Sequence, residues 1–273
     1  MFLKIFKHAF MRPFKTVIAM LCISVASGIL AGLFENLCDG FSQKIMELIE
    51  TDSPELSKYN TLFSIFNTLA MFLAMAVSIL TAFEIVVVYS AFNKAIATDE
   101  AYLTYTLPAK SSTQTGARYL SLFVWHVIIF AGAIASYVFM AMTSGVFNFA
   151  EILIEFEYVE VEAELIIALV EVGVLGLVTF ASGVAQGQCG VVLANALSHK
   201  LKRRISSFLV GFTFFVEVVT LTILLVVILL SPLVRLDVFV HLLIWIYIVV
   251  IGSLGGLAYY LSYMLMGRRL NVA

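Results

Sequence analysis

Long apolar runs separated by short polar stretches divide this chain, and their length is that of membrane helices. The first run, Thr16 to Phe34, comes close to the roughly 20 residues needed to cross the hydrocarbon of a bilayer. Five more follow, near 62–92, 119–142, 165–195, 207–230 and 239–266. Backbone groups in hydrocarbon have no water to bond, so such runs must satisfy themselves as helices. They also exceed the roughly 10-residue alternating segments of a membrane β-barrel. The second and fourth runs are longer than a crossing requires, which predicts tilt or projection beyond the bilayer. The pattern predicts an all-α polytopic membrane protein: six transmembrane helices in a single domain over 1–273.

Composition agrees with this pattern and narrows the function classes. The chain is 62% hydrophobic and 12% charged, where soluble domains run at about 25% charged, so no sizeable soluble domain is expected. Cys22, Cys38 and Cys189 have neither paired nor metal-like spacing, which argues against a disulfide framework. No G-x-x-x-x-G-K-[ST] phosphate loop occurs, so no nucleotide site of that type is carried by this chain. The histidines His8, His126, His199 and His241 are scattered, without an H-E-x-x-H pair, and no metal site is predicted. No convergent catalytic set is visible either, so the chain is not expected to be an enzyme. Nothing in it predicts a nucleic-acid partner.

Charge distribution sets an orientation. With the N-terminus in the cytoplasm, the inner segments hold Lys4, Lys7, Arg12, Lys15, Lys94, Lys110, Arg118, Lys200, Lys202, Arg203, Arg204, Arg268 and Arg269. Only Lys44, Lys58 and Arg235 fall outside, and most acidic residues between the spans fall there too. The excess of Lys and Arg on one side places both termini in the cytoplasm. Residues 1–15 mix Phe2, Ile5, Phe6, Phe10 and Phe14 with four basic residues, which suits a helix lying in the membrane interface. After the first span, Phe41, Ile45, Leu48 and Ile49 recur at helical spacing and predict a short surface helix. Ser53-Pro54 then reads as an N-cap and first helical residue. The run 151–164 is strongly acidic, and residues 198–204 form a basic cluster suited to lipid headgroups.

Between the second and third spans lies a polar island, Thr98-Asp99-Glu100-Ala101-Tyr102-Leu103-Thr104-Tyr105-Thr106-Leu107-Pro108. Thr98, Asp99 and Glu100 put a cap and negative charge where a helix would begin. Tyr102, Leu103, Thr106 and Leu107 fall on one face, and Pro108 closes the element. Ser111-x-x-Gln114 matches a capping box for the next helix. The expected result is a short helix across the cytoplasmic ends of two spans, with one apolar-aromatic face. Such a face can simply rest on the membrane surface or can dock a partner.

This island resembles the E-G-Y-L-x-x-T-L-P segment of bacterial ABC transporter permease subunits of the type-2 exporter class, with Ala101 in place of the glycine. The resemblance implies a six-helix permease in the bacterial plasma membrane, with an N-terminal interfacial helix. It implies that Asp99, Glu100, Tyr102, Leu103, Thr106, Leu107 and Pro108 form a cytoplasmic coupling helix seated on a separate ATPase. It also implies pairing with a second copy or a similar permease, and ATP and magnesium held by the partner ATPase, with no cofactor on this chain. Substrate export would then be driven by hydrolysis elsewhere.

Polar residues inside the spans leave a second reading open. Glu84, Glu171 and Glu217 fall within apolar runs, where a carboxylate at a helix centre costs about 2.5–3.5 kcal/mol on the translocon scale. Glu84 is expected near the cytoplasmic surface with a basic partner, and Glu171 near the outer end of its span, in reach of water. Glu217 lies deepest. Glu217, Glu171 and Gln186 are the candidate residues of a substrate path. A gradient-driven secondary transporter or channel would use such carboxylates, with the island as an ordinary loop. The fourth span is rich in small and polar residues, and Gly183-x-x-x-Gly187, like Gly252-x-x-x-Gly256 in the last span, predicts close helix approach.

Overall fold

The computed structural model describes residues 1–50, 55–97, 110–145, 163–196 and 238–269. Among these residues every regular element is a helix: α1 (Phe2–Met11), α2 (Phe14–Glu50), α3 (Leu56–Ala97), α4 (Ser111–Ser144), α5 (Ala163–Ala196) and α6 (Val238–Arg269). Five of them, α2 to α6, are long and apolar enough to cross a membrane. The architecture is that of a helical multi-pass membrane protein. The predicted fifth span, 207–230, lies outside the described residues, as do the acidic run 151–162, the basic cluster 198–204 and the Ser53-Pro54 cap.

The helices outrun the apolar stretches that announce them. At 37 residues, α2 is about 55 Å long, well beyond the hydrocarbon thickness. The separate surface helix expected over residues 41–49 is instead the last part of α2. A lone Gly40, with open space around it, is too weak a breaker to end a helix whose next residues have a partner. That partner is α3. Phe41 packs on Tyr59 and Phe66, with ring centroids 6.2 and 5.7 Å apart, and Phe34 meets Phe66 at 5.6 Å.

Two other boundaries have local causes. Pro13 offers no N–H to the preceding turn, and α1 stops before it, while its carbonyl accepts the Val17 N–H to open α2. The Lys110 carbonyl accepts the N–H groups of Thr113 and Gln114. Ser111 is therefore the first helical residue of α4 and not its cap, and Gln114 turns inward and is buried. At the far end Gly145 has φ +81°, the left-handed conformation in which glycine stops a helix without a Cβ clash.

The described chain clusters into two compact units. One holds residues 13–88 and 125–159. Within it α2 and α3 run antiparallel, as the Phe41–Tyr59 and Phe34–Phe66 pairs require. α2 and α4 run parallel: Leu21 meets Gly132, Gly28 meets Ser136, and Gly32 meets Met140 and Thr143. Ser24 and Ser136 are 3.2 Å apart at their hydroxyls, and Asn36 Nδ2 donates to the Thr143 carbonyl at 3.4 Å. A Cβ on Gly28 or Gly32 would overlap the Ser136 or Met140 carbonyl oxygen, so these two glycines let the backbones touch. On α3, Ala70, Val77, Glu84 and Val88 are buried, whereas Phe72, Met75, Ile79, Phe83 and Val86 are exposed. The second stripe is the face suited to lipid.

The other unit holds residues 1–12, 89–124 and 160–273. Here α5 and α6 run parallel: Glu171 bonds to His241, Val178 lies by Gly252, and Ser182 by Gly255. The start of α4 runs antiparallel to both. Tyr119 Oη donates to the Ala181 carbonyl at 2.9 Å, and the Tyr119 and Tyr259 rings meet edge to face at 5.4 Å. The last turns of α3 run parallel to α5, with Tyr89 against Gly187 and Asn93 beside Asn195. Helix α1 buries Ile5 and leaves Lys4 and Lys7 exposed.

Gly28→Val is expected to lower the unfolding free energy of the detergent-solubilised protein by about 1–3 kcal/mol, the usual range for overpacking. Gly40→Ala, where nothing stands within 4 Å, serves as the neutral control. Equal thermal midpoints for the two variants would refute close packing of α2 on α4.

Candidate functional site

The sequence-predicted site residues divide sharply. Asp99, Glu100, Tyr102, Leu103, Thr106, Leu107 and Pro108 lie outside the described residues, and so does Glu217. Glu171 and Gln186 are described, both on α5. Fifteen residues apart, they stand about 22 Å from each other along the helix, so they do not converge on one site.

Glu171 lies just ahead of the apolar span of α5, and His241 just ahead of that of α6. The parallel course of the two helices brings these beginnings together. His241 Nδ1 is 2.6 Å from Glu171 Oε2, and Trp245 Nε1 donates to Oε1 at 2.9 Å. His241 and Trp245 are four residues apart and share one face of α6. Each carboxyl oxygen therefore faces one ring nitrogen of α6, and a carboxylate at Glu171 accepts from His241 when Nδ1 carries a proton. The Glu171 side chain is 7% exposed and that of His241 is 40% exposed. Instead of reaching for water, Glu171 is covered and tied to the neighbouring helix. Sequence reading missed these partners, although a His and a Trp at i and i+4 beside a span boundary were there to be seen.

Deeper in the same unit, α5 carries a ladder of polar contacts. Gln186 Nε2 donates to Ser182 Oγ at 2.9 Å, and Ser182 Oγ donates to the Ile251 carbonyl of α6 at 2.9 Å. Gly255 is the glycine that admits this contact, since a Cβ there would stand 2.8 Å from the Ser182 Cβ. Gly256 of the predicted pair has nothing within 4 Å, and Gly252 makes only an ordinary contact with Val178. The close approach on α6 is thus at Gly255, not at the Gly252-x-x-x-Gly256 pair. Two residues beyond Gln186, Gln188 Nε2 donates to the Thr115 carbonyl of α4 at 3.4 Å. Thr115 Oγ1 donates to Ser111 O at 2.9 Å and lies 3.3 Å from Met266 Sδ. Asn195 Nδ2 donates to Asn93 Oδ1 of α3 at 2.7 Å. Gln186 thus takes part in helix packing.

Glu84, in the other unit, presents the opposite case to Glu171. It is fully buried, and neither carboxyl oxygen has a hydrogen-bond partner among the described residues. The basic partner expected for it is not among them. Among the described residues, the polar contacts of α5 tie it to α3, α4 and α6.

No protein-family model, curated protein or solved structure matches this chain.

His241→Leu and Trp245→Phe are each expected to destabilise the solubilised protein by about 1–3 kcal/mol by stripping a donor from a buried carboxylate. Combined with Glu171→Gln, His241→Leu should show a coupling above about 0.5 kcal/mol in a double-mutant cycle; strict additivity would mean that the contact carries no energy. Glu84→Leu removes two unpartnered oxygens and is expected to raise stability by about 1–3 kcal/mol. A loss of stability in that variant would mean that the carboxyl has a partner.

Proposed function

We propose that this chain is the membrane-spanning permease subunit of an ATP-driven exporter in the bacterial plasma membrane, working with a separate ATPase. The observation that carries this reading is the segment Asp99-Glu100-Ala101-Tyr102-Leu103-Thr104-Tyr105-Thr106-Leu107-Pro108 and its likeness to the coupling segment of type-2 exporter permeases. Two features of the helices support it. α2 runs antiparallel to α3 and parallel to α4, so the segment links two helix ends on one side of the membrane. α5 and α6 run parallel, which suits a return crossing by the chain between them. This favours 207–230 as a sixth span. Six crossings put both termini, the coupling segment and the basic cluster 198–204 on one face, where the Lys and Arg excess makes that face cytoplasmic.

In this reading the chain performs no chemistry. ATP and magnesium bind the partner ATPase, and its closure moves the coupling segments of two paired permeases, which changes access to a path between them. A gradient-driven carrier is the second reading, and the buried, unpartnered Glu84 favours it. The two differ in their source of energy.

Gentle solubilisation and affinity purification from native cells should recover a cytoplasmic ATPase in stoichiometric amount. Tyr102→Asp, Leu103→Asp and Leu107→Asp should each lose it while inserting normally. An ATPase retained in full by all three variants would refute the coupling role. No ATPase with the wild type would turn attention to the carrier, and then to Glu84→Gln and Glu217→Gln as tests of gradient-driven transport.

A further inference from the structure

In the unit that holds residues 1–12, 89–124 and 160–273, helix α1, the start of α4 and the last turns of α3, α5 and α6 lie together at one end. Asn93 bonds Asn195, Gln188 reaches the Thr115 carbonyl, and Thr115 lies by Met266. The Phe2 ring of α1 stands 3.7 Å from the place that a Cβ on Gly116 would take. Among the described residues this end carries one sign of charge. Lys4, Lys7, Lys94, Lys110, Arg268 and Arg269 fall in it, and residues 1–12, 89–97, 110–124, 185–196 and 258–269 contain no Asp or Glu. A surface of one sign attracts partners of the other. The faces of α1 decide which anionic partner fits.

Helix α1 is fixed along one stripe and leaves two others open. Ile5 is 7% exposed and Phe2 stands against Gly116, so this stripe is held by the protein. Lys4, Lys7 and His8, within about one turn of each other, are exposed. Beside them runs an apolar stripe. Leu3, one turn before Lys7, is 75% exposed, and the Phe6 and Phe10 rings stack at 5.8 Å. A soluble polyanion would meet the lysines and leave Leu3 in water. A lipid answers both stripes, its headgroup at the ammonium groups and its acyl chain along Leu3 and the stacked rings. We propose that α1 is a binding seat for a phospholipid of net negative charge, with Lys4 and Lys7 on the headgroup and Leu3 on the chain. Because Ile5 and Phe2 anchor the helix, the two lysines are held at fixed positions on the protein. The seat does not depend on the transport reading.

The test uses the full chain in a mild neutral detergent. Phosphatidylglycerol, or phosphatidylcholine with the same acyl chains, is added, and bound lipid is counted by native mass spectrometry. Phosphatidylglycerol should be held roughly tenfold or more tightly than phosphatidylcholine. Lys4→Gln and Lys7→Gln should each weaken it by roughly fivefold, the worth of one lysine at an anionic membrane surface, and leave phosphatidylcholine unchanged. Leu3→Gln should weaken both lipids. Lys58→Gln, at the opposite end of α3 from Lys94, should change neither. Lys4 and Lys7 are exposed, so their variants should keep the thermal midpoint of the lipid-free protein. Equal retention of the two lipids by the wild type would overturn the seat. So would a preference that survives the combined Lys4→Gln and Lys7→Gln change, or one that falls equally with Lys58→Gln. An acidic protein recovered in place of lipid, and lost with the same two lysines, would overturn it as well.

Discussion

Hydrocarbon offers no hydrogen bonds, and the rest of this structure follows from that. Each of the long helices closes its backbone on itself, and small polar side chains do the same. Thr68 donates to Ser64 O, Thr81 to Val77 O, Ser136 to Gly132 O, Ser253 to Val249 O and Ser262 to Ala258 O, each four residues back. These residues are polar by type but satisfied within their own turn, so they can sit in an apolar span at little cost. Among the described residues helices are held to one another in three ways. Aromatic rings pack between α2 and α3, backbones meet where a glycine leaves room, and the polar groups that are not satisfied locally reach across.

That division explains what could be read from the sequence. Length and hydropathy suffice for helices, because a run such as 62–92 has no other way to satisfy its backbone in a membrane; five of the expected spans appear as helices among the described residues. Helix ends are another matter. The end of α2 at Glu50 depends on Phe41 finding Tyr59 and Phe66 across the hairpin, and a one-dimensional hydropathy pattern holds no information about that. Glycine spacing was a similarly partial guide. Of the predicted Gly183-x-x-x-Gly187 pair, Gly187 admits Tyr89, while the close packing of Gly28 and Gly32 on α4 was not read from the sequence. On α6 the contact falls on Gly255, one position from the predicted pair. Spacing marks which helix can be approached closely; the azimuth of the neighbour decides which glycine is used.

The polar residues follow the same logic. That Glu171 and Gln186 were unusual for their surroundings was plain from the sequence, because a carboxylate or amide in an apolar run stands out. The partners of Glu171 were not, since His241 and Trp245 lie 70 and 74 residues away and only the parallel course of α5 and α6 brings them near; Gln186 bonds Ser182, one turn back on its own helix. Asn93 and Asn195 were less conspicuous still: each sits near the end of its helix, where a polar residue is ordinary. It is the 2.7 Å bond between them that distinguishes them from end residues in contact with water.

The two described carboxyls of the spans show how far burial alone can be interpreted. Glu171 and Glu84 are both buried, and hydropathy treats them alike. Glu171 is paired oxygen by oxygen with an imidazole and an indole N–H, so its burial is accounted for by the helix it secures. Glu84 sits on the inward stripe of α3 with Ala70, Val77 and Val88 and has no such account. An unpartnered carboxyl in a low-dielectric interior costs stability, and removing it should be favourable unless the group is used. A polar group whose packing explains it needs no further role. One that packing leaves at a cost is where a requirement other than stability has to be sought, and in this chain that distinction separates Glu84 from Glu171.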